Sequence, residues 1–208
     1  MKTALRDVLE TLILTALIFL TVRSVVQNFK VEGRSMEPTL RNGQYLLIVK
    51  AVYWRVPGHL LDRLTPGAEA SGENGDGQTR YVFSSPQRGD IVVFRYPKDL
   101  SRDFIKRIIG VPGDRVEIRG GVVFVNGLPL QEDYTAAAPN YPMAEERVPP
   151  GQYFVLGDNR NYSSDSHVWG LVPEQNLIGR AWVSYWPLDL LGIVPSGWTG
   201  NAESRPAR

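Results

Sequence analysis

The stretch GRSMEPTL contains Ser35, whose hydroxyl group has the chemistry of a nucleophile. A serine nucleophile needs a base that takes its proton, and the sequence offers two kinds of base. His167, with Asp158 and Asp165 nearby in the sequence, would complete a Ser-His-Asp arrangement. Lys106, in the apolar run FIKRIIG, would serve if burial lowers its pKa and leaves the amine neutral. The residues alone leave both bases open, together with Ser35 as a turn residue and Lys106 as an ordinary strand lysine.

Composition excludes several other kinds of chemistry. The 208 residues include no cysteine, which rules out a thiol nucleophile, a zinc–thiolate site and a disulfide framework. Only two histidines occur, so the sequence predicts no metal site and no cofactor. The 23 basic and 22 acidic residues nearly balance, so a nucleic-acid partner is not expected.

An apolar segment precedes the serine. Residues 8–26 would span about 28 Å as a helix, close to the thickness of a bilayer core. A cleaved signal peptide would share the charged start at Lys2 and Arg6, but RSVVQNF offers no small-x-small cleavage site after the run. We therefore predict that residues 1–27 form an uncleaved transmembrane anchor with a short cytoplasmic start.

Short apolar and β-branched runs with Gly and Pro between them fill the rest of the chain. They predict a mainly β, antiparallel domain at 28–194 and a disordered polar tail at 195–208. The Gly- and polar-rich residues 57–80 predict a flexible insertion, and the pairs Gly120-Gly121 and Asn126-Gly127 predict hairpin turns. For DFIKRIIGV the periodicity leaves helix or strand open.

Four separated stretches, in order behind the apolar segment, resemble the sequence boxes of the bacterial type I signal peptidases. They are SMEPTL, RGDIVVF, KRIIGVPGD and GDNRNYSSDSHVWG. One short motif would be weak because such matches arise by chance, but four in the family's order are specific. The resemblance extends from the apolar segment to about Trp186.

The resemblance implies a role for each matching position. Ser35 matches the nucleophile, and Lys106 matches the general base. Ser163 matches a hydroxyl that orients the lysine, and Met36 matches a residue lining the substrate groove. A polar network that supports the site is matched by Asp158, Arg160 and Asp165. The oxyanion would be bound by the backbone N–H of Ser35 and that of Gly33.

Two positions depart from the family pattern. Gly33 stands where some members carry a serine that donates to the oxyanion, so another donor has to replace that hydroxyl. His167 stands where the family usually has arginine. Because histidine pairs well with a carboxylate only when it is protonated, support from Asp158 or Asp165 is expected to depend on pH.

The resemblance also implies an activity and a location. The activity is that of a membrane-bound serine endopeptidase that removes signal peptides from exported preproteins through an acyl-enzyme and prefers small residues at the first and third positions before the cut. The implied partners are signal peptides and the lipid bilayer, near the protein-export machinery, with the catalytic domain on the outer face of the cell membrane. Two alternatives remain from the sequence: another Ser/Lys protease of similar scaffold, and a membrane-anchored β domain with a non-catalytic binding role.

Overall fold

The structure, a computed structural model, describes residues 2–57 and 79–195. Side chains are described for 6–56 and 81–195. The tail predicted to be disordered lies outside the described residues except for its first residue, and the predicted insertion lies outside them except at its two ends. Whether these segments are flexible stays a prediction.

A single long helix begins the chain. Helix α1 comprises Lys2–Val25, and its segment Arg6–Val25 has a mean hydropathy of 1.9, with none of it buried against the rest of the chain. By length and composition this segment is able to cross a membrane. Strand β1 begins directly at Val26, so the predicted boundary between residues 27 and 28 falls inside a strand.

The main sheet has eight strands, all antiparallel to their neighbours. They are β1 (Val26–Lys30), β2 (Tyr45–Val49), β5 (Ile91–Tyr96), β6 (Asp99–Gly110), β11 (Gln152–Leu156), β12 (Val172–Pro173), β13 (Leu177–Trp186) and β14 (Gly192–Ile193). Their order in the sheet is β1-β2-β13-β5-β6-β11-β12, and β14 pairs with β13. A mainly β, antiparallel domain behind an apolar helix, as the sequence predicts, is therefore confirmed.

Two smaller sheets complete the described elements. One has the order β10-β7-β8-β9, and the other pairs β3 with β4 across the predicted insertion. Their strands are β3 (Arg55–Pro57), β4 (Thr79–Tyr81), β7 (Arg115–Arg119), β8 (Val122–Val125), β9 (Leu128–Pro129) and β10 (Met143–Arg147). One turn of helix, α2, comprises Ser166–Trp169, and 3-10 turns occur at Ala51–Tyr53, Arg160–Tyr162, Glu174–Asn176 and Leu188–Leu190.

The centre of the main sheet is buried on both faces and is rich in β-branched residues. The first four residues of β5 are all buried, as are the last six of β6. A strand covered on both faces carries a continuous apolar run rather than an alternating one. This explains why periodicity left DFIKRIIGV open between helix and strand, and the structure shows that it is a strand.

Both predicted hairpin turns are present in the smaller four-stranded sheet. Gly120 and Gly121 join β7 to β8 with φ angles of 56° and 77°, and Asn126 and Gly127 join β8 to β9 with φ angles of 54° and 79°. Two successive positive φ angles are the geometry of the tight turn that matches the twist of paired strands. The packing of this sheet against the main one forms a core that includes Ile109 of β6.

One glycine allows two strands of the main sheet to approach closely. A Cβ atom on Gly179 in β13 would lie 2.5 Å from the carbonyl oxygen of Val49 in β2. We predict that Gly179→Ala lowers the free energy of unfolding by about 1 to 3 kcal/mol, because the two backbones would have to separate. Urea unfolding of the detergent-solubilised protein measures this change.

The matched control is Gly192→Ala in β14, where an added Cβ meets no atom within 4 Å. This control variant should stay within about 0.5 kcal/mol of the wild type. Equal effects of the two substitutions would show that the close approach of β2 and β13 does not limit the residue at position 179.

Candidate active site

The turn that carries Ser35 lies between β1 and β2 and is held by the segment that follows β11. Asn159 donates hydrogen bonds from its backbone N–H to Ser35 O, at 3.0 Å, and from its side-chain Nδ2 to Arg34 O, at 3.1 Å. Gly157 lies so close that a Cβ there would collide with Ser35 O and with the Ser163 hydroxyl. The backbone at Ser35 therefore packs directly on the segment that follows β11.

Lys106 reaches Ser35 from the middle of the main sheet. Its Nζ atom donates a hydrogen bond to Ser35 Oγ at 2.7 Å and another to the Ile105 carbonyl at 3.0 Å. The side chain is buried, and the Phe104 ring centroid lies 5.5 Å from Nζ. The base that a serine nucleophile requires must lie within hydrogen-bond reach, and Lys106 meets this condition.

Burial determines the charge state of this lysine. Loss of solvation lowers the pKa of Lys106 from 10.5 to about 8, while the carboxylates of Asp165 and Asp158 act in the opposite direction. The pKa thus lies closer to neutral pH than that of a free lysine, so a far larger share of the amine carries no proton there than in water.

The three residues assigned to a polar network each pair with a different partner. Asp158 accepts two hydrogen bonds from Arg107, at 2.8 and 2.7 Å, and both side chains are buried. Arg160 forms a two-point ion pair with Glu132. Asp165 accepts the Gly157 backbone N–H at 2.9 Å and a contact from His167 Nδ1 at 2.6 Å. None of the three predicted members pairs with another.

Sequence reasoning missed the partners in two of these pairs. Arg107 follows Lys106 on β6, and because side chains alternate along a strand, the two cations leave it on opposite faces. With Lys106 on one face of a buried strand, Arg107 had to lie on the other face, and a buried arginine needs a carboxylate partner. Glu132 and Tyr134 lie in a segment without regular structure, where no pattern indicated them; the Tyr134 ring centroid lies 4.0 Å from the Arg107 guanidinium.

His167 is held by contacts other than Ser35. Its ring stacks on that of Tyr141, with centroids 3.9 Å apart, and its Nδ1 atom contacts Asp165. Across the described part of the chain, His167 makes no hydrogen bond to Ser35. Of the two bases that the sequence left open, Lys106 is therefore the one in position.

Three supporting assignments need revision. The Gly33 N–H donates to Asn42 Oδ1 at 2.9 Å, so it is already engaged and is not free to bind an oxyanion. Met36 is fully buried in the core with Val31 and Leu40 and does not line the groove, because its apolar side chain is packed inward under the turn.

Ser163 behaves differently from what the resemblance implies. Its Oγ atom is buried beside Gly157 but has no hydrogen-bond partner among the described residues, so the expected bond to Lys106 is not formed here. The Ser35 N–H, in contrast, stays available, since it donates no hydrogen bond within the described ranges.

A cleft of about 500 Å³ opens over the Ser35 and Lys106 side chains. It is lined by the end of β1, by the turn that carries Ser35, by residues 102–106 of β6, and by Tyr162 and Ser164. Its volume lies in the range of small-molecule and peptide sites. Among the described residues, no cluster of three or more His, Asp or Glu side chains has the arrangement of a metal site.

Comparison with known proteins places the chain in a family. The family model described as signal peptidase, peptidase S26, matches residues 5–186. The "Signal peptidase I" of Leptolyngbya laminosa is 50% identical over 119 residues, which is 54% of this chain and 59% of that protein. The alignment with this relative therefore spans less than two thirds of the relative's length.

Two longer alignments agree with the family model. The "Probable signal peptidase I-2" of Synechocystis sp. (strain ATCC 27184 / PCC 6803 / Kazusa) is 38% identical over 200 residues, covering 93% of this chain and 77% of that protein. The "Signal peptidase I" of Pseudomonas fluorescens is 33% identical over 223 residues, covering 86% of this chain and 72% of that protein. The chain therefore belongs to the signal peptidase family, peptidase S26.

Proposed function

We propose that this protein is a membrane-bound serine endopeptidase that cleaves signal peptides from exported preproteins, with Ser35 as nucleophile and Lys106 as general base. The observation that carries the proposal is the 2.7 Å hydrogen bond between Lys106 Nζ and Ser35 Oγ at the floor of an open cleft. The relatives are named as signal peptidases, which supports signal peptides as the substrates.

The mechanism starts from the neutral form of Lys106. The amine donates one N–H to the Ile105 carbonyl, and its lone pair takes the Ser35 proton while Oγ attacks the scissile carbonyl carbon. The Ser35 N–H, which donates no hydrogen bond to any described residue, stabilises the resulting oxyanion. Lys106 then passes the proton to the leaving amine, and an acyl-enzyme remains.

Deacylation repeats these steps with water. Lys106 removes a proton from a water molecule that attacks the ester carbonyl, and the Ser35 oxygen leaves and regains its proton. The substrate lies extended in the cleft as an added strand, with small side chains at the first and third positions before the cut. No cofactor or metal ion is required by any of these steps.

Helix α1 serves as the membrane anchor in this proposal, and residues from about 28 onward lie on the outer face. The nucleophile follows the end of α1 at Val25 by ten residues, so it lies near the membrane surface. The apolar helix of a signal peptide ends at the same depth, which brings its cleavage site to the cleft. Preproteins emerge there from the export machinery, which places the enzyme near it.

The first prediction from the proposed function concerns the reaction itself. Detergent-solubilised protein incubated with a preprotein should release a mature chain whose new N-terminus, read by sequencing, follows the signal peptide. Ser35→Ala should abolish cleavage, and Lys106→Met should lower kcat/KM by at least about 10² to 10⁴, the usual contribution of a general base.

His167→Ala is the informative control for this prediction, because it removes the alternative base without touching the Ser35–Lys106 contact. It should retain most of the activity. An inactive His167→Ala enzyme beside an active Lys106→Met enzyme would assign the base to the histidine and contradict the proposal.

The second prediction concerns pH. Because only neutral Lys106 accepts the proton, kcat/KM should rise with pH along a limb whose midpoint lies near the Lys106 pKa of about 8. Asp165→Asn should move this midpoint to lower pH, since the carboxylate raises the pKa of the lysine. Glu145→Gln, an exposed carboxylate change in β10, is the matched control and should leave the midpoint in place.

His167→Arg separates the two ionisable candidates in the same experiment. The variant places a permanent cation beside Asp165 and removes the histidine ionisation, so only the rising limb that titrates Lys106 should remain. Loss of that limb in His167→Arg, with Lys106 intact, would show that the histidine is the titrating base.

The third prediction concerns topology. Protease added to intact spheroplasts that express the protein should digest the β domain and leave an N-terminally tagged fragment containing α1. Digestion only after detergent treatment would place the domain on the inner face and contradict the proposed location.

A further inference from the structure

A second cleft lies beside the turn that carries Ser35. Its volume is about 430 Å³, and its lining residues are Arg34, Glu37, Pro38, Arg41, Ala136 and Asn159. It shares Arg34 with the cleft over the Ser35–Lys106 pair, so the two clefts meet at the residue before the nucleophile. Neither Ser35 nor Lys106 lines it.

The lining of this second cleft carries an excess of positive charge. Arg34 donates from Nε to Glu37 at 3.0 Å, so these two charges offset each other. The guanidinium of Arg41 makes no hydrogen bond or ion pair with any residue that the structure describes, and its side chain is exposed. Arg41 is therefore available for a carboxylate that enters the cleft.

The anchor determines which part of a substrate reaches each cleft. The first cleft is lined by Phe29 and Lys30 of β1, and β1 continues directly from α1. With α1 as the anchor of the proposed function, a signal peptide that leaves the membrane beside α1 would meet this cleft first. The residues after the scissile bond then continue past Ser35 and Arg34, and the second cleft is the concave surface that lies there.

We propose that the second cleft binds the first residues of the mature protein and that Arg41 favours an acidic side chain among them. This inference rests on the proposed function and adds a specificity determinant on the product side of the cut. The ligand is a carboxylate of the polypeptide substrate, at the second to fourth residue after the cleavage site. Arg34 contributes when the substrate carboxylate replaces Glu37 as its partner.

The test compares preproteins that differ at one residue after the cut. They carry Glu, Gln or Lys at the second, third or fourth position and are otherwise identical. For the full-length enzyme in detergent, kcat/KM should be about two- to five-fold higher with Glu than with Lys at one or more of these positions, the size typical of exposed ion pairs. High salt should reduce this ratio.

Charge reversal at Arg41 gives the decisive comparison. Arg41→Glu should invert the ratio so that the Lys substrate is preferred. A ratio of two substrates on one enzyme sample does not depend on how much of the sample is folded, so a partly folded variant still gives an answer. Arg147→Gln, which removes an exposed cation from β10 in the four-stranded sheet, is the matched control and should keep the wild-type ratio.

The outcomes separate this inference from the function on which it rests. Cleavage of the Gln substrate with a Glu-to-Lys ratio near one would overturn the role of the second cleft and leave the endopeptidase activity standing. An Arg41→Glu enzyme with the wild-type ratio would also overturn it. Failure of the wild type to cleave any of the substrates would remove the proposed function and this inference with it.

Discussion

Burial of Lys106 in the centre of the main sheet is the constraint on which the candidate site depends. An amine in water keeps its proton at neutral pH, and only the loss of solvation lowers its pKa to about 8. That shift means that the folded protein at neutral pH carries a penalty of about 3 kcal/mol for the charged lysine. The penalty disappears as the pH rises from about 8 to the ordinary lysine value, because the unfolded chain then binds the proton and the folded chain does not.

The rest of the site keeps this lysine buried and still in contact with a hydroxyl. The last six residues of β6 are all buried, so both faces of this half of the strand are covered, and Ser35 in the turn between β1 and β2 contacts the end of the Lys106 side chain. The close contact at Gly157 and the two hydrogen bonds from Asn159 hold that turn. The geometry depends on backbone contacts as much as on the side chains that would carry out the reaction.

The buried ion pairs next to the lysine have a cost of their own. Asp158 with Arg107 and Arg160 with Glu132 remove four charges from water, and such pairs are stable only when their hydrogen bonds are satisfied. Both arginines bind their carboxylates at two points, which satisfies this condition and fixes the orientation of each group. Truncating one partner would leave an uncompensated buried charge, so we regard these pairs as the rigid support beneath the site.

The sequence by itself determined the apolar helix, the mainly β domain and both hairpin turns, because these follow from local composition, periodicity and short motifs. The sequence also indicated Ser35 as the candidate nucleophile. It left the choice between Lys106 and His167 open, and only the tertiary structure places the lysine against the serine. The partners Arg107 and Glu132, the engaged N–H of Gly33, the inward position of Met36 and the second cleft with Arg41 were decided by tertiary structure alone. Most of these contacts join segments that are distant in sequence and meet only when the sheets pack, and even the short-range bond from Gly33 N–H to Asn42 depends on the conformation of the turn.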